Sequence, residues 1–559
     1  MITNNEIYLY SRKNKNAYFN VWMAFPGIYS FSMSSLGYLE LCKNIDLLED
    51  VNLERICTNT SKTKLMIKDI DLIGFSFSFD LDFLNIFKML DKYKIPLKAS
   101  ERNENHPLIF GGGPVLSSNP EPYCEFFDYI IIGDGEEVNI TAVNICKENK
   151  GKAKQEILAE LAKIEGIYVP SIGVIQEAQA KLNPDLQSRV GLPTHQRQTD
   201  YALLAPRQVK KATCRLSNCI YTPILSEQSF FKNTFIIEIA RGCVNRCGFC
   251  LASYLNLPQR FVEYEKIIES IDLGLKHTNK LALLGALISA HPQFDDICNY
   301  IYQKNMQNSG IELSVSSLRA DAISPISVQT LVACGQKHVT IAIEAGSDRL
   351  RRVINKNLTE KQILEIINIA EENGLKGFKI YAMIGLPTET QEDLKEMVEL
   401  VKKIKKTHKS FSIGFSFSTF VPKAHTPFQW CAHEETKSLE KKQHYLKREF
   451  HKLGVKTNFS SPKWDYYQAL LSRGGKELSD YVLKIYELGG NIGAFKTAYK
   501  QVAKTKNLPD SDHYVLRTYD LQENLPWDFI EVAPGKEFLK EEYKKLLKHA
   551  DELQTISMP

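Results

Sequence analysis

The chain has 559 residues, enough for about three or four domains at roughly 150 residues each. Hydrophobic residues make up 43% and charged residues 24%, as in ordinary globular proteins, and the net charge of +4 is too small to indicate nucleic-acid binding. The first residues are polar without an apolar signal core, and no run of about 18 apolar residues occurs. We therefore expect a cytoplasmic protein that does not enter a membrane.

Strand and helix signals alternate over residues 1–150, which predicts a Rossmann-like α/β domain with a parallel sheet. The predicted strands are Asn20–Phe25, Asp71–Phe79, Pro107–Phe110 and Asp128–Ile132, and the predicted helices include Ser34–Asn44 and Leu81–Tyr93. The last two strands end in Gly111-Gly112-Gly113 and Gly133-Asp134-Gly135. Ligands of such folds bind beyond the carboxyl ends of the strands, so both glycine segments are candidates for ligand binding.

Three further regions follow. Residues 151–232 are less regular, and we interpret them as a connecting region because they contain Pro193, Pro206, Pro223 and the polar stretch Thr194–Asp200. Over residues 233–432 six βα units predict a partial (β/α)6 barrel. Its predicted strands are Thr234–Ala240, Lys280–Leu284, Glu312–Ser316, His338–Ile343, Gly377–Met383 and Ser412–Ser418. Residues 433–559 are predicted to form a mostly α-helical domain, with helices over Glu434–Lys452 and Lys476–Leu488.

A tight cluster of cysteines comes directly after the first predicted barrel strand. Cys243, Cys247 and Cys250 have the spacing Cys-x3-Cys-x2-Cys. A [4Fe–4S] cluster ligated only by protein takes four cysteines, so three leave one iron open. That iron can bind the amino and carboxylate groups of S-adenosylmethionine (SAM), and reduction of the cluster can then cleave SAM to a 5′-deoxyadenosyl radical. Gly242 and Gly248 let the loop wrap around the cluster, which Phe249 would shield.

The alternatives are a zinc site or three unrelated thiols. Zinc normally takes four ligands, often as paired Cys-x2-Cys units, and no second pair lies nearby in the sequence. Cys214 and Cys219 are the nearest other cysteines, but their spacing fits no common zinc pattern. We therefore predict an iron–sulfur cluster at Cys243, Cys247 and Cys250.

The cysteine motif resembles that of the radical SAM superfamily, and other segments extend the resemblance. They are Ser316–Asp321, Glu344–Ser347 followed by Arg349 and Arg352, and Lys379–Thr390, which contains Gly385-Leu386-Pro387. The resemblance implies that SAM lies against Phe249, Gly285, Ser316, Arg319, Glu344 and Gly385. The segment around Gly285 departs from the pattern, since Ala286 stands where many members have an acidic residue.

A narrower resemblance is to an uncharacterised bacterial family with a cobalamin-binding-like domain before the radical SAM domain. It rests on Asn119–Pro122, Gly133–Glu137 and Phe420–Trp430, and it covers residues 18–148 and 233–545. Cobalamin-binding domains usually have a histidine after the first strand, but the loop Phe25–Gly37 has none. Two alternatives therefore stay open: cobalamin without a protein lower ligand, along Ser76, Ser78 and Gly111–Gly113, or a fold that no longer binds it.

The resulting hypothesis is an enzyme that cleaves SAM reductively and starts radical chemistry on an unknown substrate, with cobalamin-dependent methyl transfer as one form of it. Alternatives are a cobalamin-free radical SAM enzyme, or an RNA- or ribosome-associated protein with a structural cluster. The electron donor would be a protein such as flavodoxin or ferredoxin. Methylthio transfer is disfavoured because the N-terminal region has no second cysteine trio.

Aromatic and basic side chains near the end of the barrel and in the last region have two interpretations. His425 could act as an acid or base, but a hydrogen-bonded structural histidine is the preferred interpretation. Trp464, Arg473 and Trp527 could cap the substrate, although ordinary helical core is the default for such residues.

Overall fold

The computed structural model describes residues 5–11, 17–172, 208–307, 310–316 and 318–556. Residues 173–207 of the predicted connecting region, including Pro193, Pro206 and Thr194–Asp200, lie outside the described residues, as does Ser317. Across the described ranges, no helix is both long enough and apolar enough to cross a membrane.

The N-terminal region folds around a six-stranded sheet. A short strand, β1 (Glu6–Tyr8), precedes it. The sheet strands are β2 (Phe19–Phe25), β3 (Val51–Cys57), β4 (Leu72–Ser76), β5 (Leu108–Gly112), β6 (Tyr129–Ile131) and β7 (Ile167–Tyr168), in the order β3-β2-β4-β5-β6-β7. All neighbours are parallel except β6 and β7. The helices are α1 (Tyr29–Ser32), α2 (Leu36–Asp46), α3 (Phe83–Lys92), α4 (Pro114–Ser118), α5 (Glu136–Glu148) and α6 (Lys154–Leu161).

The described part of the connecting region joins the other regions through short strands. β8 (Val209–Lys210) pairs with a strand near the C-terminus, and β9 (Ile220–Tyr221) pairs with the first barrel strand. β10 (Ile224–Ser226) pairs with β1. These pairings connect the connecting region to β1, to the barrel and to the C-terminal region through backbone hydrogen bonds.

The barrel contains the six predicted strands, each within two residues of its predicted ends. They are β11 (Phe235–Arg241), β13 (Lys280–Gly285), β14 (Glu312–Val315), β15 (His338–Glu344), β16 (Gly377–Ile384) and β17 (Ser412–Thr419). β11, β13 and β14 form one parallel set and β15, β16 and β17 a second, and a parallel bridge from Leu318 to Ile341 joins the two. A short strand, β12 (Arg260–Phe261), runs antiparallel to β11.

Helices alternate with these strands and cover the outside of the barrel. They are α7 (Ala252–Leu255), α8 (Tyr264–Leu275), α9 (Phe294–Gln307), α10 (Pro325–Ala333), α11 (Asp348–Val353), α12 (Glu360–Glu372) and α13 (Gln391–Thr407). The apolar faces of α8, α9, α10, α12 and α13 pack against the strands in one continuous core. The predicted mixed α/β fold with parallel sheets is therefore confirmed.

The barrel sheet continues past residue 432. After α14 (Thr436–Lys452), strand β18 (Lys456–Phe459) pairs in parallel with β17. Its four residues, Lys-Thr-Asn-Phe, contain one apolar side chain, which is too little for a strand signal in the sequence.

The remaining C-terminal elements are mostly helical. They are α15 (Pro462–Arg473), α16 (Ser479–Glu487), α17 (Ile492–Lys506), α18 (Ser511–Val515), β19 (Ile530–Glu531) and α19 (Lys536–Ile556). The predicted helix Lys476–Leu488 begins as a 3-10 turn before α16. Helices α15 to α18 pack on the N-terminal sheet in a shared core, where the rings of Phe83 and Phe495 and of Phe87 and Tyr486 are in contact. The first and last regions of the chain therefore share one hydrophobic core.

Candidate functional site

The three cysteines lie on the loop that leaves the carboxyl end of β11. Gly242 begins this loop with a φ of +80°, and a Cβ there would lie 2.5 Å from the carbonyl oxygen of Asn256. Only glycine fits this combination of left-handed backbone and close contact. The Cys243 and Cys247 side chains are buried, and Cys250 is half-buried.

Two of the thiols contact polar amide and backbone groups. Asn245 Nδ2 lies 3.4 Å from Cys243 Sγ, and Cys247 Sγ lies 3.6 Å from the carbonyl oxygen of Asn355. Asn355 also donates to the Arg246 carbonyl at 2.9 Å, so it holds the loop from outside. Burial raises the pKa of the Cys247 thiol to about 12, against the opposing charges of Lys356 and Arg319.

A charged pair from the next part of the barrel lies close to these thiols. Glu344 ends β15 at a bulge, with a φ of +66°, and its carboxylate accepts from Lys356 Nζ at 3.1 Å. Arg319 donates to the Lys356 carbonyl at 3.0 Å and to Asp321 at 2.6 Å. The left-handed backbone of a glutamate is uncommon and strained, which marks this strand end as a functional candidate.

The other predicted SAM-contacting residues lie at neighbouring strand ends. Ser316 Oγ donates to the Gly285 carbonyl at 3.3 Å, so the ends of β13 and β14 meet. Phe249 packs in an apolar cluster with Ala345 and Leu386, the residues that follow Glu344 and Gly385. The fold therefore brings the cysteine loop and all four predicted SAM segments to one end of the barrel.

The turn after Gly385 is held by a buried carboxylate. Glu389 accepts from the Gly385 amide at 2.7 Å and from Lys442 at 2.7 Å, and Lys442 also pairs with Glu434 at 2.6 Å. Burial raises the pKa of Glu389 to about 7, although the Lys442 charge opposes this shift. Glu389 and Lys442 thus fix the turn from the outside of the barrel.

The glycine segment of the N-terminal sheet is packed against protein. A Cβ on Gly111 would lie 2.6 Å from Leu116 and 2.7 Å from Phe127, and one on Gly113 would lie 2.6 Å from the Phe77 carbonyl oxygen. Gly112 is the more open of the three, with Ile131 at 3.5 Å. Gly111 and Gly113 are therefore glycines because neighbouring protein atoms occupy the space of a side chain.

A cavity of about 170 Å³ lies between this sheet edge and the barrel. The segments after β4 and β5, the cysteine loop through Leu251, the loop after β17 and helix α15 all line it. Its polar wall is a network around buried Asp80, which accepts from Lys423 at 3.0 Å and Gln468 at 2.7 Å. Lys423 also donates to Ser472 at 2.7 Å.

His425 is buried beside this cavity. Its backbone has a φ of +60°, its amide donates to Gln429 at 2.9 Å, and its Nε2 has no hydrogen-bond partner. Burial lowers the pKa of His425 to about 4, and a hydrogen bond with the backbone of Ser118 opposes this shift. The residue is therefore neutral at pH 7, which fits the structural role that the sequence favours.

The three C-terminal side chains considered as substrate caps do not line the cavity. Trp527 is buried and donates to Gln429 at 2.6 Å. Arg473 is buried, donates to the Val515 carbonyl at 3.0 Å and lies 3.8 Å from the centre of the Tyr519 ring. Trp464 packs edge-on against Phe495.

Some residues at the site were not singled out from the sequence. Lys356 stands between two asparagines with left-handed backbone, Asn355 and Asn357. Asparagine tolerates that conformation better than most residues, so Asn-Lys-Asn was a weak signal. The sequence carried no signal for Asp80 and Gln468, because nothing in their neighbouring residues distinguishes them from solvated polar residues.

Comparison with known proteins gives two family matches. Residues 41–170 match the family model for radical SAM proteins, N-terminal, and residues 237–401 match that of the radical SAM superfamily. An uncharacterised protein of Methanocaldococcus jannaschii is 28% identical over 465 residues, which are 83% of this chain and 90% of that protein. A tRNA-2-methylthio-N(6)-dimethylallyladenosine synthase of Ehrlichia chaffeensis is 23% identical over 334 residues, 54% of this chain and 71% of that enzyme.

Two solved structures are also similar. The radical S-adenosylmethionine methyltransferase TsrM from Kitasatospora setae, with cobalamin and a [4Fe–4S] cluster bound, gives a TM-score of 0.48 at 13% identity over 71% of this chain and 74% of that one. The cobalamin-dependent radical enzyme OxsB, with aqua-cobalamin and SAM bound, gives 0.47 at 13% identity over 96% and 81%. The second family match includes the three-cysteine loop, so the chain contains the domains of a radical SAM protein.

Proposed function

We propose that this radical SAM enzyme holds a [4Fe–4S] cluster through Cys243, Cys247 and Cys250 and cleaves SAM reductively to start radical chemistry on a substrate. The observation that carries the proposal is the convergence of four sequence-distant strand ends, those of β13, β14, β15 and β16, on one cysteine loop. When bound, the reduced cluster supplies the electron that cleaves SAM to methionine and a 5′-deoxyadenosyl radical. The chain's own residues bind, orient and shield the reactants.

The thiols fit an iron–sulfur cluster. They are largely buried and lie on one short loop. The charges of Lys356 and Arg319 favour the thiolate of Cys247, which is the form that binds iron. Thiolate ligands and a charged cosubstrate need such compensation in a buried site.

SAM would lie across the strand ends next to the open iron. Glu344 offers a carboxylate that is held by Lys356, and the Gly285 carbonyl and Ser316 hydroxyl offer further polar contacts. The apolar cluster of Phe249, Ala345 and Leu386 provides a surface for the adenine. In the segment around Gly285, Ala286 stands where many radical SAM proteins have an acidic residue. Glu344 would therefore contribute more to the recognition of the SAM amino group.

The cavity beside Leu251 is the best candidate for the substrate group that reacts. An enclosed cavity of about 150 Å³ holds a benzene ring, so this one admits a group of similar size. Leu251 follows Cys250 directly, which places the cavity next to the cysteine loop. Asp80, Lys423 and Gln468 would orient polar atoms of the substrate at its wall.

The residues present do not form a cobalamin cradle. Protein atoms occupy the Cβ positions of Gly111 and Gly113, and the cavity between the sheet edge and the barrel is smaller than a corrin ring. The loop Phe25–Gly37 offers no imidazole. We therefore propose a radical SAM enzyme whose N-terminal domain keeps the fold without the cofactor, and we derive no step through cobalamin.

Cobalamin-dependent methyl transfer is the second candidate. The position of the cavity favours it, because ligands of open α/β sheets bind beyond the carboxyl ends of the strands and β4 and β5 end there. Binding would require the loop after β17 and helix α15 to separate from the sheet. Either enzyme needs a one-electron reductant, for which we propose a flavodoxin or a ferredoxin.

Anaerobic reconstitution of the full chain with iron and sulfide tests the first candidate. We expect about four iron and four sulfide per chain and, with dithionite and SAM, release of 5′-deoxyadenosine measured by mass spectrometry. A reconstituted, reduced protein that neither binds nor cleaves SAM would refute the proposal. Methylation of cobalamin added during reconstitution would instead favour the second candidate.

A further inference from the structure

The segment Gly133-Asp134-Gly135-Glu136 contacts the two ends of the cysteine loop. Arg241 and Arg260 are opposite each other in the antiparallel pairing of β11 and β12, and the loop of residues 242–259 leaves and returns between them. Asp134 lies in the N-terminal region, at the carboxyl end of β6. A single residue of one region thus reaches both ends of a loop in another.

The contacts are close and largely buried. Asp134 Oδ1 lies 3.1 Å from Arg241 Nη1, and Asp134 Oδ2 lies 2.6 Å from Arg260 Nη1. The side chains of Asp134, Arg241 and Arg260 are 10%, 15% and 12% exposed. Charge-assisted hydrogen bonds of this kind are about twice as strong as neutral ones and fix geometry.

Two further carboxylates complete the network around Arg241. Glu136 accepts from its Nη2 at 2.7 Å, and Glu238 accepts from the same nitrogen at 2.7 Å and from its Nε at 2.8 Å. Cys214 Sγ lies 3.3 Å from Nη1, and the Cys214 amide donates to Asp134 at 3.0 Å. The grouping of Asp134, Glu136 and Cys214 has the donor atoms of a metal site, but the guanidinium groups of Arg241 and Arg260 already neutralise it.

We infer that Asp134 is a positioning residue for the iron–sulfur cluster, and that the N-terminal domain acts on the reaction by holding the loop that carries the ligands. The inference rests on the proposed function, since it takes Cys243, Cys247 and Cys250 as the ligands. Arg241 is two residues before Cys243, so any change in its direction moves the first ligand. Groups that orient metal ligands commonly change metal affinity by about 10- to 100-fold when they are removed.

The test compares Asp134→Asn with Asp480→Asn in the full-length, anaerobically reconstituted protein. Asp480 pairs with Lys98 at 2.6 Å, so its variant weakens another contact between the N-terminal and C-terminal regions without touching the cysteine loop. We expect Asp134→Asn to lose iron to a ferrous chelator about tenfold faster than wild type and to change the electron paramagnetic resonance (EPR) signal of the reduced cluster with SAM. Asp480→Asn should match wild type in both measurements.

Hydrogen exchange of the cluster-free protein separates the inference from the proposed function. Residues 242–259 should exchange faster in Asp134→Asn, whereas Asp134→Glu, which keeps the charge, should restore part of the protection. If Asp134→Asn does not fold, Arg260→Lys serves instead, because it keeps the charge and loses the forked geometry. The inference would be overturned if the variant matched wild type in iron release, in the EPR signal and in hydrogen exchange. If the wild-type protein takes up no cluster, the proposed function is refuted. The exchange result then still shows whether Asp134 holds the loop of residues 242–259.

Discussion

Lys356 donates to Glu344 across 3.1 Å, and this pair lies close enough to Cys247 for both charges to act on its thiol. Glu344 ends a barrel strand in a strained backbone conformation, and Lys356 follows the helix after it. The pair therefore connects the strand end expected to contact SAM with the loop expected to hold the cluster. Such an arrangement gives a buried, negatively charged site its positive counter-charge.

The cluster ligands are tested by single substitutions. We expect Cys243→Ala, Cys247→Ala and Cys250→Ala each to abolish the iron and sulfide content, because a cluster with two remaining thiolates is not held. Cys219→Ala and Cys214→Ala should keep about four iron per chain, measured by iron and sulfide analysis after anaerobic reconstitution. Dependence on Cys214 would contradict the assignment.

Glu344 is expected to contribute to SAM binding. Glu344→Gln should weaken SAM binding by about tenfold or more, since a buried charged partner of a hydrogen bond contributes about 1.5–3 kcal/mol. Isothermal titration calorimetry on the reconstituted protein measures this. Glu399→Gln, which breaks an exposed pair with Lys402 on α13, is the matched control and should bind SAM like wild type. Equal affinity in both variants would exclude Glu344 from the site.

His425 makes the fold sensitive to acid. Its pKa is lowered from 6.5 to about 4 in the folded protein, so the unfolded chain binds more protons between these values. The free energy of unfolding is thus expected to fall as the pH drops from 6.5 toward 4. His425 contributes at most about 3 kcal/mol to this fall.

The variant His425→Asn suits the left-handed backbone and should flatten this dependence, measured as the melting temperature against pH. His444→Asn, at an exposed position of α14, should leave it unchanged. SAM cleavage that survives in His425→Asn would confirm a structural role, whereas a loss of cleavage with normal stability would point to acid–base catalysis.

The Asp80–Lys423 pair is expected to couple the N-terminal sheet to the barrel. Asp80→Asn and Lys423→Met should each destabilise the protein, because each leaves a largely buried charge without its partner. In a double-mutant cycle of unfolding free energies, we expect a coupling of about 0.5–3 kcal/mol. Additive effects would show that the two regions do not depend on this contact.

Cobalamin retention distinguishes the two candidate enzymes. We expect the protein to retain no stoichiometric cobalamin after strictly anaerobic reconstitution, since protein atoms fill the space around Gly111 and Gly113. Absorbance of the desalted protein measures this. If cobalamin is retained, its Co(II) EPR signal should show no nitrogen splitting from a protein imidazole, because Phe25–Gly37 contains no histidine.

The sequence determined the parts of this protein that depend on local pattern. Periodic apolar segments placed the six barrel strands within two residues, since burial imposes the same alternation wherever the strand lies. The spacing of Cys243, Cys247 and Cys250 led to the prediction for this loop, because three thiols this close along the chain can reach one cluster and leave one iron open. The strand β18 was missed because its four residues contain a single apolar side chain.

The tertiary structure decided which segments that are distant in the sequence contact each other. Asp134 belonged to a recognised motif, but only the fold shows that it contacts Arg241 and Arg260, residues more than a hundred positions away. Gly111 and Gly113 stay a predicted ligand edge, and only the fold shows that Leu116, Phe127 and Phe77 occupy the space that their side chains would take. The neighbouring residues in the sequence determine which conformations a residue can adopt. Ion pairs and packing between remote segments depend instead on where the fold of the whole chain places those segments.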